Sequence, residues 1–191
     1  MNPQLVVLAG PNGAGKTTFY DVFLSASSLP FLNADLFAAE TGVGSVEAAR
    51  ILDATRARMI EDRIGFITET VFSDPYGAKL DMLRQATAAG YDVTLLYIGL
   101  ASPSLSARRV EQRVAIGGHD VPADRLEARY ARSLDNLKSA VTFVPVAKVY
   151  DNSSCDEPYR LLATYEAGTL VHREKGRLPS WVRDIVPGPG R

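Results

Sequence analysis

The feature that most constrains the fold is a glycine-rich octapeptide near the start of the chain, Gly10-Pro11-Asn12-Gly13-Ala14-Gly15-Lys16-Thr17. It matches the pattern G-x-x-x-x-G-K-[ST] at every fixed position. An apolar run over 5–9 precedes it and a helix-like stretch over 15–25 follows it, which is the strand–loop–helix context of a phosphate-binding P-loop. A glycine-rich turn that binds nothing is the alternative, and the complete match in this context disfavours it. The motif predicts binding of ATP or GTP, but not which reaction follows.

The motif also assigns roles to its residues. Backbone N–H groups of the octapeptide and of Thr18, at the start of the helix, are expected to surround the phosphates. Lys16 is expected to reach the β- and γ-phosphates, and the Thr17 hydroxyl to coordinate Mg²⁺. We therefore predict a nucleotide site over 10–18 with Thr17 as the metal ligand.

Strand-like and helix-like segments alternate along the rest of the chain. Strands are predicted at 5–9, 31–33, 66–70, 93–98 and 141–150, with Pro145 indicating an edge strand or a bulge. Helices are predicted at 15–25, 45–62, 74–89, 102–115 and 121–140. Segments 161–163 and 169–171 are compatible with a hairpin, and 178–181 with a short last helix. The alternation predicts an α/β fold: a P-loop NTPase of the nucleoside-kinase type, with three layers, a mostly parallel sheet and a helical lid.

Composition excludes several classes of protein. The 191 residues contain 21 Lys and Arg against 22 Asp and Glu, and this balance argues against a nucleic-acid or membrane specialist. No apolar run is long enough to cross a membrane. The single cysteine, Cys155, allows no internal disulfide, which fits a reducing, cytoplasmic location. We expect one domain over 1–191, with a lid at about 102–135 and a frayed tail at 186–191.

The absence of three known motifs narrows the class of nucleotide-binding protein. The sequence has no N-K-x-D tetrapeptide for guanine, no L-S-G-G-Q-like signature, and no apolar strand ending in a D-E pair. GTPase switches, transport ATPases and helicase-type engines are therefore disfavoured, and a small-molecule kinase is favoured.

Two carboxylates follow predicted strands. Parallel strand ends open onto one crevice beside the P-loop, so Asp35, just after 31–33, is the first candidate to accept the proton of a substrate hydroxyl. The alternative is that Asp35 caps a short helix at 36–38. Glu69, with Thr70, ends the strand 66–70 and is a candidate for binding substrate hydroxyls or a magnesium-bound water. The alternative for Glu69 is an ion pair with a neighbouring arginine.

Six arginines gather in the predicted lid. They are Arg108, Arg109, Arg113, Arg125, Arg129 and Arg132. Arg109 and Arg113 share one helix face, and arginines stabilise charge that develops on a phosphoryl group in transfer. Arg109 and Arg113 are the catalytic candidates. The alternative is a solvated face paired with Glu111 and Glu127.

Taken in order, these pieces resemble the zeta-toxin family of P-loop kinases, as a short stand-alone member. The similar pieces lie at 9–18, 33–35, 69–70, 109–110, 113–114, 117–122, 129–130, 133–137 and 150–153. The resemblance implies ATP or GTP with Mg²⁺, a carboxylate base at Asp35, substrate contacts near Glu69 and lid arginines at Arg109 and Arg113. Known toxins of the family phosphorylate UDP-N-acetylglucosamine and are inhibited by a small antitoxin.

The predicted function is therefore transfer of a γ-phosphoryl group to an alcohol group of a small molecule, with UDP-N-acetyl-sugars as one candidate. Lys16, Asp35, Arg109 and Arg113 form the predicted catalytic set, and Arg129 joins the substrate contacts. A nucleotide-dependent regulatory protein and a kinase acting on RNA ends stay open as alternatives. Salt dependence would separate the last of these, because polynucleotide binding weakens steeply as salt rises.

Overall fold

A computed structural model describes residues 2–115 and 123–188. Its strands are β1 (Gln4–Ala9), β2 (Phe31–Leu32), β3 (Phe66–Thr70), β4 (Asp92–Gly99), β5 (Val146–Asp151), β6 (Arg160–Glu166) and β7 (Thr169–Arg173). Its helices are α1 (Lys16–Phe23), α2 (Ala34–Thr41), α3 (Ser45–Glu61), α4 (Ala78–Ala88), α5 (Pro103–Ala115) and α6 (Ala123–Ala140). A single 3₁₀ turn, Ser180–Val182, follows β7.

The strands form one sheet in the order β2-β3-β1-β4-β5-β6-β7. The first five in this order run parallel, and the hairpin β6–β7 adds two antiparallel strands at the β5 side. This confirms the predicted α/β, mostly parallel fold. Ala9 of β1 pairs with Thr70 of β3 and Tyr97 of β4, so the P-loop leaves the sheet between the ends of two neighbours. The site therefore lies where the parallel strands end.

Helices cover both faces of the sheet. On one face, α3, α4, the end of α6 and the segment 178–186 pack on the larger apolar cluster, which includes Leu83, Leu137 and Val182. On the other face, Phe19 of α1 packs on Ile67 and Leu96 in a smaller cluster. Since both faces are covered, β1 is a nearly continuous apolar run. Together these layers give the three-layer arrangement that the sequence predicts.

Local caps explain where several helices begin. The Asn33 side chain accepts hydrogen bonds from the N–H groups of Asp35 and Leu36, and so caps α2. Asp74, where the predicted helix 74–89 begins, accepts a hydrogen bond from the N–H of Ala78, and the regular helix α4 starts only at Ala78. Pro103 begins α5, where a missing N–H costs nothing.

The prediction was wrong in three places. Residues 141–145 are not strand: α6 runs to Ala140, and β5 begins only at Val146. β5 also lies inside the sheet, so Pro145 marks no edge. Its register irregularity falls between Val149 and Tyr150 instead. The frayed tail does not begin at 186, since Val186 is 1% exposed and packs in the larger cluster.

Three further predictions concern the last helix, the lid with the tail, and membrane crossing. The short last helix predicted at 178–181 is the 3₁₀ turn Ser180–Val182, in which Trp181 is buried and its indole N–H donates to Asp151. The piece 117–122 of the predicted lid and the tail residues 189–191 lie outside the part of the chain described. Among the helices that are described, none is long and apolar enough to cross a bilayer.

Candidate functional site

Side chains bind the carbonyl groups of the P-loop, and four of the five come from outside the loop. Five consecutive carbonyls, those of residues 11–15, each accept a side-chain hydrogen bond. The pairs are Lys16 to Pro11 at 3.1 Å, Ser106 to Asn12 at 2.6 Å, Arg109 to Gly13 at 3.4 Å, Asn152 to Ala14 at 2.9 Å and Tyr159 to Gly15 at 2.9 Å. The loop is therefore fixed from α5, from the segment after β5 and from its own lysine.

Several N–H groups of the same loop lack partners, although that of Ala14 donates to the carbonyl of Pro11 at 3.3 Å. Within residues 2–115 and 123–188, the N–H groups of Gly13, Gly15 and Lys16 make no hydrogen bond. The first N–H groups of a helix always need an outside acceptor, and α1 begins at Lys16. A row of occupied carbonyls and unoccupied N–H groups suits an anion. The loop thus fits the phosphates that its sequence predicts.

The loop glycines are required by close packing behind it. A Cβ at Gly10 would lie 2.1 Å from the backbone oxygen of Ile98. At Gly13, where φ is +71°, a Cβ would lie 3.0 Å from both Cβ of Arg109 and the carbonyl oxygen of Ser106. The absence of side chains at these positions lets β4 and α5 approach the loop closely.

Lys16 lies at the centre of the site, and it is buried. Burial lowers the pKa of its ammonium group, and the positive charge of Arg113 lowers it further. The negative charges of Glu69 and Asp35 act in the opposite direction, and Glu69 is the larger influence of the two. These electrostatic effects place Asp35, Glu69 and Arg113 around Lys16, as the sequence predicts for a single crevice.

Glu69 connects the P-loop to the strand end of β3. Its Oε2 accepts from the Thr17 hydroxyl at 2.9 Å and from the Asn33 side-chain amide at 2.8 Å. Its Oε1 lies 3.7 Å from the Lys16 ammonium. The charge partner of Glu69 is thus the P-loop lysine, not the arginine offered as an alternative.

The same oxygens test whether the site fits Mg²⁺. The Thr17 hydroxyl and the Glu69 carboxylate are adjacent oxygen donors, of the kind that Mg²⁺ accepts. Among the described residues no group of three or more acidic, His or Cys side chains forms a metal cage. Mg²⁺ is usually held by one or two protein oxygens together with substrate phosphates, and this donor set suits that mode.

Asp35 is the second residue of α2 and is exposed. Asn33 supplies the cap of that helix, so the alternative function of Asp35 as a cap is wrong. The same Asn33 donates to Glu69, which ties the start of α2 to the strand end of β3. The Asp35 carboxylate is therefore held on a capped helix end, facing solvent and close enough to act on Lys16.

Thr70 shapes the chain that leaves β3. Its hydroxyl accepts from the N–H of Phe72, whose φ of +61° is unusual for a residue with a side chain. Phe72 is fully buried. In this structure Thr70 therefore stabilises a turn next to Glu69; its predicted contact with substrate stays a prediction.

The six lid arginines do not act as one cluster. Arg109 binds the P-loop and Arg113 influences Lys16, whereas Arg132 donates to the carbonyl of Ser73 on the other side of the crevice. Arg129 is half-buried on α6. Its guanidinium has no hydrogen bond or ion pair within the ranges that the structure covers. Arg108 and Arg125 are exposed.

A buried arginine that the sequence did not single out supports the β2 side of the crevice. Arg56 of α3 is 5% exposed, and its Nε donates to the Thr68 hydroxyl at 2.7 Å. That hydroxyl donates in turn to the carbonyl of Leu32, which holds the short strand β2 against β3. Asp53 pairs with Arg56 at 2.6 Å, and burial nevertheless lowers the pKa of the Arg56 guanidinium. The position of Asp35 thus depends on α3.

Sequence reasoning assigned no role to Ser106, Asn152 and Tyr159, although each binds a P-loop carbonyl. Ser106 is a fully buried polar residue on the helix face where apolar residues are expected. Asn152 directly follows strand β5, and Asp35 comes three residues after the end of β2. A polar residue on an apolar helix face and a polar residue after a strand can both be seen in the sequence, so these signals could have identified Ser106 and Asn152. Tyr159 follows no comparable pattern.

Comparison with known proteins gives a family match over a long segment that begins after the P-loop and Asp35. The Zeta toxin family model matches residues 39–160. A protein of Haemophilus influenzae described only as uncharacterized is 27% identical over 136 residues, which are 68% of this chain and 94% of that protein.

Solved structures are similar in fold at low identity. The PezAT chromosomal toxin-antitoxin system of Streptococcus pneumoniae gives a TM-score of 0.58 at 16% identity, covering 100% of this chain and 80% of that chain. The complex of AvrRxo1-ORF1 with AvrRxo1-ORF2, solved with ATP, gives 0.62 at 16% identity and covers 88% of this chain. This chain spans 60% of the length of that one. At such identities the likeness shows the fold alone.

Proposed function

The chain belongs to the Zeta toxin family, and on that premise we propose that it is a kinase. It would transfer the γ-phosphoryl group of ATP, or of GTP, to a hydroxyl group of a small molecule. The observation that carries the proposal is the direct bonding between the two sides of the crevice. Thr17 and Lys16 of the nucleotide loop and Asn33 of the opposite side all contact Glu69. A loop that only stores a nucleotide does not need this connection.

The described side chains supply the parts of phosphoryl transfer. The acceptor oxygen forms a bond to the γ-phosphorus as the bond from that phosphorus to the departing diphosphate breaks. Asp35 accepts the hydroxyl proton, and its exposed carboxylate near Lys16 suits that task. Lys16, Arg109 and Arg113 place positive charge where the transition state carries negative charge. Mg²⁺, when bound through Thr17, would supply further charge neutralisation.

For the acceptor we propose a UDP-N-acetyl-sugar, on family membership. Glu69, Thr70 and Arg129 are the proposed substrate contacts. The PezAT structure is that of a toxin-antitoxin system, which supports a small inhibitory protein as a proposed partner of this chain. Growth arrest on expression, relieved by Lys16→Ala, would support a toxin; normal growth at full expression would count against one.

The experiment that tests the kinase proposal is a transfer assay with γ-labelled ATP, Mg²⁺ and a metabolite pool that contains UDP-sugars. We expect a labelled, phosphatase-sensitive product with the wild-type protein and none with Lys16→Ala. Glu40→Gln is the matched control, because Glu40 is exposed on α2, away from Lys16, and should leave the product unchanged. Label on a UDP-sugar supports the proposed acceptor, and label only on other compounds contradicts it.

Two results would refute the proposal of a small-molecule kinase. The first is nucleotide binding with no labelled product from any pool, which favours a regulatory protein. The second is label on RNA ends alone, with binding that weakens steeply as salt rises.

A further inference from the structure

One turn of α6 binds the chain segment that follows the strand end of β3. We call residues 71–74 the post-β3 segment. Ser133 donates to the carbonyl of Val71 at 2.9 Å, and Arg132 donates to that of Ser73 at 2.9 Å. Asn136 donates to the carbonyls of Phe72, at 3.0 Å, and Asp74, at 3.3 Å. Three side chains therefore satisfy four consecutive carbonyls.

The post-β3 segment has a conformation that needs outside support. Phe72 adopts a φ of +61°, a region that costs free energy for a residue with a Cβ. Its side chain is fully buried, and its N–H is held by Thr70. Because Thr70 follows Glu69 directly, any shift of this turn moves the end of β3, where Glu69 contacts Lys16 and Thr17.

The α6 side of the contact is fixed. Ser133 is fully buried, and its hydroxyl also bonds to that of Tyr97 on β4, at 2.9 Å. Tyr130, one turn earlier, donates to the carbonyl of Leu100 at 2.7 Å. The part of α6 that holds the post-β3 segment is thus anchored to the sheet.

The partner helix α5 holds the other side of the crevice. Ser106 and Arg109 of α5 bind the P-loop carbonyls of Asn12 and Gly13. Val110 of α5 is 1% exposed and Leu126 of α6 is 4% exposed, as expected of two helices packed into the fold. The segment predicted as a lid is therefore tied down at its base, by α5 to the nucleotide loop and by α6 to the post-β3 segment.

We propose that Arg132, Ser133 and Asn136 are positioning residues, which hold the post-β3 segment so that Glu69 and Thr70 keep their place opposite the P-loop. The helix pair then aligns the two sides of the crevice with each other. The alignment of the two sides does not depend on the proposed kinase function. Only the conclusion that the side with Glu69 and Thr70 binds the phosphate acceptor rests on that function. Arg132, grouped with phosphate-binding arginines from the sequence, has this different task.

The test uses Asn136→Ala, because Asn136 serves two carbonyls and is half-buried. The matched control is Asp135→Ala, a neighbouring exposed position on the same helix. Amide hydrogen exchange is measured with and without Mg²⁺ and a non-hydrolysable ATP analogue. The informative amides are those of Phe72, Ala78 and Lys79, since Phe72 bonds to Thr70 and the other two bond to Asp74.

In the wild-type protein we expect the analogue to slow exchange at the P-loop and at those three amides. In Asn136→Ala, exchange at the three amides should be about 10-fold faster, since a lost hydrogen bond corresponds to roughly that factor. Their response to the analogue should disappear, while protection of the P-loop persists. Asp135→Ala should behave as wild type. A variant that keeps the response, or a wild-type protein that lacks it, would overturn the proposal.

A second readout links the alignment to catalysis. With the labelled product of the transfer assay, Asn136→Ala should lose about 10-fold in transfer rate while its Kd for ATP stays within about 2-fold of wild type. Faster exchange with unchanged transfer refutes the positioning role and leaves the kinase intact. If the wild-type protein yields no product, the kinase proposal fails, and the exchange measurement still decides the alignment.

Discussion

The ion pair between Glu69 and Lys16 gives the most informative single substitution, Glu69→Gln. Both side chains are largely buried, at 14% and 6% exposure, and the charged atoms are 3.7 Å apart. At that distance, with an effective dielectric constant of about 20, the attraction is about 4.5 kcal/mol. A glutamine oxygen at the position of Oε2 can still accept from Thr17 and Asn33, so the substitution removes the charge and keeps most of the shape.

Part of that attraction is retained by other groups. Lys16 keeps its hydrogen bond to the carbonyl of Pro11 and the attraction of Asp35. We therefore expect Glu69→Gln to lower the free energy of unfolding of the nucleotide-free protein by about 2–3 kcal/mol. The substitution should also lower the pKa of Lys16 further, because its strongest attractive partner is lost.

The assay is urea unfolding with and without saturating ATP. Phosphates bound beside Lys16 would replace the missing negative charge, so the difference between variant and wild type should shrink to below about 1 kcal/mol with nucleotide. Glu61→Gln is the control, because Glu61 pairs with Arg58 at a largely exposed position, and its loss should cost at most about 0.5 kcal/mol. The reasoning is refuted if Glu69→Gln lowers the free energy of unfolding by less than about 0.5 kcal/mol in the absence of nucleotide. It is also refuted if the difference from wild type stays the same when nucleotide is bound.

Three further predictions test the loop and the helix pair. Tyr159→Phe removes the hydroxyl that holds the carbonyl of Gly15 and should weaken ATP binding about 5-fold in an equilibrium titration; an unchanged Kd would show that this bond does not shape the loop. Gly13→Ala introduces a Cβ 3.0 Å from two atoms of α5 at a φ of +71°, and should cost about 1–3 kcal/mol in urea unfolding, where wild-type stability would contradict the packing argument. Burial raises the pKa of Tyr130 to about 12. The folded protein therefore keeps a proton that the unfolded chain loses above about pH 10, and the free energy of unfolding should fall between pH 10 and 12 by up to about 1.4 kcal/mol per pH unit. Tyr130→Phe should make this fall shallower, and an identical slope in both proteins would refute the assignment.

The sequence predicts those site residues whose positions follow from the residues next to them in the chain. Lys16 and Thr17 belong to a local motif, and Asp35 and Glu69 come at the ends of apolar strands. Since parallel strands end at one edge, their meeting follows from the fold class alone. The structure places all four around the same crevice.

The residues that the sequence does not predict act on distant backbone. Ser106, Asn152 and Tyr159 bind carbonyls that lie 94, 138 and 144 positions away along the chain. A side chain that donates to a remote carbonyl has no fixed spacing from it, so no pattern reveals the pair. Arg132 shows that a sequence pattern can also suggest the wrong partner. Its helix face resembles that of Arg129, yet its partner is the carbonyl of Ser73.

The sequence likewise predicts some elements of the fold well and others poorly. Strands at the centre of the sheet are predicted to within one residue, because burial on both faces favours apolar residues in much of their length. The stretch 141–150 is also apolar, but it contains the last turn after α6 and then β5. Val141 and Val144 are buried in the core without being strand. An apolar run reports burial there, and burial alone does not distinguish a strand from a packed turn.

The measurement that tests the central claim most directly is the single-turnover transfer rate of Asp35→Asn. Asn keeps the size of the side chain but cannot accept the hydroxyl proton, so the rate should fall at least about 100-fold. The Kd for ATP should stay within about 2-fold of wild type, and Glu40→Gln on the same helix should transfer normally. An Asp35→Asn protein that transfers the phosphoryl group at the wild-type rate would contradict the mechanism.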